Sequence, residues 1–139
     1  MAEAGKFDDL IADFAKDSVK ENTGVWMTYK RFQYLVARSH RDNVAFLKVM
    51  EERMRPYQWA IDRGNLAALK DVANDVMQGV YAETVLKGIR KIDGTVLDYQ
   101  ASDGVALFKQ LPDLWDAVFK FANADENYSP DAVKVDSGN

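Results

Sequence analysis

Cysteine is absent from this chain of 139 residues, which excludes disulfides, thiolate metal centres and cysteine nucleophiles. Histidine occurs once, as His40, so no histidine cluster exists to hold a catalytic metal. Its place between Ser39 and Arg41, at an expected helix start, reads as a solvated surface position. The eight glycines are scattered singly, and neither G-x-x-x-x-G-K-[ST] nor G-x-G-x-x-G occurs. No serine sits in a G-x-S-x-G elbow. No apolar run approaches the roughly 20 residues that cross a bilayer. The opening MAEAGKFDDL places acids where a secretion signal needs a basic region and an apolar stretch.

What is present is apolar surface. Hydrophobic residues make up 47% of the chain, including three tryptophans, six tyrosines, seven phenylalanines and five methionines, enough for one real core. The net charge of −4 is unevenly spread: cations concentrate in residues 30–55, and both ends are acidic. The acids alternate with lysines on helix faces, the pattern of a solvated surface rather than of a two-carboxylate hydrolase. These features point away from an enzyme and towards a protein that works by binding another protein.

The periodicities predict a mainly α fold, a compact helical domain over residues 1–128 with a small β-hairpin near residues 25–38. Phe7, Leu10, Ile11 and Phe14 form a narrow stripe on a first helix running to about Val19. VWMTY and FQYLVAR then read as two strands, with Val25, Met27 and Tyr29 on one face and Trp26 and Thr28 on the other. Lys30-Arg31 does not favour positive φ, so a loop wider than two residues is expected. Ser39 and Asp42 are candidate caps for a helix to about Arg55, continued by a short turn from Pro56 and closed at Gly64.

The longest helix is expected from Asn65 to about Arg90, its stripe widening at Tyr81, Val85, Leu86 and Ile89 until it covers most of the circumference. Asp93-Gly94 signals a turn before an extended TVLDY segment. Ser102 is a candidate cap for a helix carrying Val105, Ala106 and Phe108. Pro112 opens the last helix, with Leu111, Leu114, Trp115, Val118, Phe119 and Ala122 on one face and Phe121 at its edge. Periodicity stops at Asn123, and residues 129–139 are expected to be a flexible acidic tail that contributes nothing to folding.

Lys30, Arg31, Arg38, Arg41, Lys48, Arg53 and Arg55 lie near Trp26, Tyr29, Phe32 and Tyr34 in the sequence. Such interleaving suits a single-stranded nucleic-acid surface, but a small sheet needs those aromatics for its buried face. The stronger signal is surplus hydrophobicity, which marks Tyr81, Val85, Leu86, Ile89, Trp115, Phe119 and Phe121 as candidate partner or oligomer interface residues. No catalytic, metal or cofactor residues are expected.

The segments GVWMTY, FQYLVARS and MRPYQWAI, then VYAETVLKG, the Asp93-Gly94 turn and LPDLWDAVFKFA leading to ENY, resemble the tail assembly chaperones of long, flexible-tailed bacteriophages. The resemblance covers about residues 24–128. It departs at Lys30-Arg31, where family members often carry glycine or a small polar residue. It implies a protein of the host cytoplasm that binds the tape-measure protein, keeps it soluble while tube subunits polymerise, and is absent from the mature tail. It also implies a longer frameshifted form that contacts the tail tube protein. Self-association is compatible with it; nucleic acid and membrane are not expected partners. A structural head–tail connector or tail-completion subunit is the chief alternative, and a small nucleic-acid-binding regulator the second.

Overall fold

The computed structural model describes residues 5–15, 17–39 and 43–130. Two short helices, α1 (Asp8–Asp13) and α2 (Ser18–Thr23), precede strands β1 (Val25–Tyr29) and β2 (Phe32–Val36). Helix α3 (Val44–Met54), a 3-10 turn at Arg55–Tyr57, and α4 (Gln58–Asp62) follow. A second 3-10 turn at Leu66–Leu69 leads into α5 (Lys70–Thr84), β3 (Leu86–Lys91) and β4 (Val96–Leu97). Helices α6 (Ala101–Gln110) and α7 (Pro112–Ala122) and a 3-10 turn at Asp125–Tyr128 complete the described fold.

The fold is mainly helical, but the hairpin is part of a four-stranded antiparallel sheet of order β1-β2-β3-β4. Val25 pairs with Val36, Met27 with Tyr34 and Tyr34 with Ile89, so one face collects the apolar side chains. That face meets Tyr81, Ala82 and Val85 of α5 and its C-terminal end, Phe108 of α6, and Leu114, Val118 and Ala122 of α7. Helix α3 packs on α5, one layer further out. Pro112 stands in the first turn of α7, with Asp113 beside it and Lys120 in the last turn, charges that match the helix dipole.

Several expectations are corrected. The helix expected over 65–90 stops at Thr84, and Leu86 and Ile89 belong to β3. The register shifts between Leu35 and Val36: Leu35 faces Gly88 while Val36 faces Leu86, leaving Lys87 as an extra residue. This bulge brings Leu86 and Ile89 to the same buried side at a spacing of three, which imitates a helical stripe. The hairpin loop is two residues, not wider, because Tyr29 pairs with Phe32 and Lys30 accepts a left-handed φ of 59°. The first helix is split in two, with Asp17 capping α2 through bonds from the Val19 and Lys20 amides. Asn43 caps α3, accepting from the Phe46 amide, whereas Asp42 and His40 fall outside the described residues. Gln100, not Ser102, is the N-cap of α6, its amide donating to the Asp103 carboxylate at 2.9 Å. Gly64 takes the expected positive φ, 71°.

The start of α2 is tied to the end of the described chain. The Asp17 amide donates to the Tyr128 carbonyl at 2.8 Å, and Lys20 Nζ donates to the Ser129 and Pro130 carbonyls. Tyr128 is fully buried, its hydroxyl donating to the Val36 carbonyl at 3.1 Å. Residues 131–139, most of the expected tail, lie outside the described residues.

Candidate docking groove

Helices α6 and α7 do not cover the whole sheet. The chain breaks direction at Leu111, whose non-helical backbone (φ −126°, ψ 78°) separates the two helices, and Pro112 forces a fresh start. The helical layer therefore turns away before it reaches the loop end of the hairpin. What remains is a groove of about 760 Å³. Its sheet side is Tyr29, Phe32, Tyr34, Ile89 and Leu97, and its helix side is Leu107, Leu111 and Leu114. Lys30 and Arg31 stand at one edge, with Gln110 and Asp113 at the other. A shallower depression beside it adds Lys91, Ile92 and Asp93, one charge of each sign.

The lining is aromatic and aliphatic, with polar groups confined to the edges. Such a surface accepts the apolar face of an amphipathic segment, and the charges select its orientation. Burial, with the neighbouring Tyr29 adding to it, pushes the Tyr34 hydroxyl above its ordinary value and keeps it neutral on the groove floor. Leu111, Ile92 and Val96 are exposed around this end of the molecule.

Of the seven residues that the sequence marks as an interface, only Ile89 borders the groove. Tyr81, Val85, Leu86 and Ile89 are buried within the chain's own core. The corrected strand explains this: a segment apolar on several sides is sandwiched between sheet and helices rather than offered to a partner. Tyr81 is a hub. Its ring stacks on Phe119 and meets Phe46 and Trp115 edge-on, while its hydroxyl donates to Ser39 Oγ at 2.7 Å and accepts from Asn123 Nδ2 at 3.0 Å. Trp115 is half-buried, Phe121 packs edge-on against Tyr128, and Phe119 alone of the seven is exposed, at 42%. Sequence reasoning missed Phe32, Leu97, Leu107 and Leu111 as groove residues. The Leu111-Pro112 break was the one available signal.

Among the described residues of the basic segment, Arg38 and Arg53 are paired with acids of the chain itself. Arg38 is buried, facing Glu21 at 3.4 Å, bonded to Asp125 and lying over the Tyr128 ring. Arg53 pairs with Glu83. Arg90 stacks on Trp26 at 3.9 Å and donates to Gln33 at 2.6 Å. Arg41 lies outside the described residues.

Among the described residues there is no group of three metal-ligating side chains, and no helix is long and apolar enough to cross a membrane. No curated protein and no solved structure matches the chain. The model of one family, described as YdaY prophage protein, matches residues 41–139, a stretch that contains α3 to α7, β3, β4 and the helix side of the groove. This match takes in more than half of the sequence, and the chain thus belongs to the phage-derived YdaY prophage protein family.

Proposed function

We propose that this protein is a non-enzymatic tail assembly chaperone. It binds helical, apolar segments of the phage tape-measure protein in the host cytoplasm, keeps that chain soluble, and helps recruit tail tube subunits. The observation that carries the reading is the groove between the hairpin loop and the α6–α7 corner, apolar inside and charged at its edges. An amphipathic helix laid into it buries its apolar face, and the edge charges favour an acidic flank near Lys30 and Arg31. Membership of a prophage family and the resemblance of residues 24–128 to tail assembly chaperones support the same reading.

Co-expression with the tape-measure protein of the same prophage tests the proposal. Soluble tape-measure protein rises, and the two co-purify. Leu111→Asp, at an exposed groove position, reduces capture without unfolding the domain. Purified tails lack the protein. Its stoichiometric presence in mature particles would overturn the chaperone role in favour of a structural connector or completion subunit.

A further inference from the structure

We infer that the groove has an occupant within the protein itself: the amphipathic α1 segment of a second copy. Helix α1 carries Phe7, Leu10 and Ile11 on one side, and these are 57%, 56% and 62% exposed, although their spacing is that of a core-facing stripe. The same segment carries Asp8, Asp9 and Asp13. The groove is the complement of both features, with an apolar interior and a cationic edge formed by Lys30 and Arg31, opposite Asp113. An acidic segment with an apolar stripe is therefore matched in hydrophobicity and in charge.

The occupant comes from another copy because α1 does not line its own groove: its stripe stays exposed beside the α2 anchor. Asp17 is held to the Tyr128 carbonyl and caps α2, and the Arg38 amide fastens α2 through the Glu21 carbonyl. These bonds lie at the Val25–Val36 end of the hairpin, and the groove lies at the Lys30–Arg31 end, five residues of strand away. Five residues of strand span roughly 16 Å. From that anchor α1 leaves its own groove open, with its stripe exposed. In a pair related by a two-fold axis each copy lends its α1 to the other, so the contact is reciprocal and closes at a dimer.

This inference extends the groove's proposed role without depending on the identity of the tape-measure partner. The test is sedimentation equilibrium of the full chain over a concentration series, alongside two full-length variants. The wild type forms a dimer. Leu10→Asp with Ile11→Asp, both exposed positions, raises the dimer dissociation constant at least about tenfold. Lys30→Glu with Arg31→Glu also weakens the dimer, and adding Asp8→Lys with Asp9→Lys to that chain restores it. Circular dichroism of each variant matches the wild type. A wild type that is monomeric at every concentration, or a dimer indifferent to Leu10→Asp with Ile11→Asp, overturns the inference. Tape-measure capture is scored separately: Leu10→Asp with Ile11→Asp, which frees the groove without altering it, loses the dimer and keeps capture if both readings hold, whereas capture failing in wild type as well refutes only the chaperone role.

Discussion

The hydroxyl of Tyr99 fills the space that a side chain at Gly104 would occupy. It donates to the Ala82 carbonyl at 2.6 Å, and a Cβ at Gly104 would also approach Ala82 Cβ at 2.8 Å. Glycine is thus the residue that lets α6 cross α5 closely. Gly104→Ala is expected to cost about 1–3 kcal/mol by overpacking, despite alanine's better helix propensity. Tyr99→Phe alone costs about 1 kcal/mol for the lost hydrogen bond. Thermal melts of the double variant should show less than the sum, because removing the hydroxyl relieves part of the clash.

Glu21 and Arg38 pose a different problem of the interior. Both are buried, and they face each other at 3.4 Å as charges rather than through a hydrogen bond. Glu21→Ala leaves the guanidinium with only Asp125 as counter-charge and should cost about 3–5 kcal/mol in denaturant titrations. Asp125→Asn should cost less than about 1 kcal/mol, since that side chain is 62% exposed. Replacing the buried pair together, as Glu21→Leu with Arg38→Met, should cost less than Glu21→Ala alone.

Lys30 holds a left-handed backbone with a Cβ attached. Lys30→Gly removes that steric penalty, and a gain of about 1 kcal/mol is expected, offset in part by greater freedom of the unfolded chain. The same change removes a groove-edge cation, so stability should rise while the proposed dimer weakens. A fall in melting temperature would contradict the two-residue loop.

Alkaline pH should unfold the domain through its tyrosines. Burial raises the hydroxyl pKa values of Tyr34, Tyr81, Tyr99 and Tyr128 above the ordinary 10.0, with bonds to Ser39 and Asn123 partly opposing it at Tyr81, and Arg38 at Tyr128. The folded state therefore keeps these protons where the unfolded chain releases them. The stability they contribute is complete below about pH 10 and falls as pH rises towards the folded values. Tyrosinate absorbance should then appear together with loss of helical dichroism. Titration of all the tyrosines with the fold intact would contradict this.

The sequence was most legible where one element supplies its own signal. Leu114 and Val118 follow Pro112 at helical spacing, and α7 stands where that pattern puts it. The alternation that sets Val25, Met27 and Tyr29 apart from Trp26 and Thr28 holds in β1, where Val25 and Met27 are buried and Tyr29 is partly so. Strand β3 was hidden because the bulge at Lys87 converts a period of two into a spacing of three. The stripe of α1 is real but does not face the core, and periodicity cannot say what covers a stripe. The groove was hidden for another reason: Phe32 and Leu111 are distant in sequence, and only the sheet and the helical corner bring them together. Tyr128, beyond the last periodic residue, carries no local sign that it closes the far side of the domain.

The bond between the Asp17 amide and the Tyr128 carbonyl makes residues 17–130, without α1, nearly a closed ring. A short flexible linker could join residue 130 to residue 17 with little distortion. New ends opened at Gly64 or Gly94, surface turns with room around them, would then give a circular permutant with the same core. Such a permutant omits α1 altogether, so it separates the folding of the core from the proposed exchange between copies: it should fold as a monomer whose groove stays open.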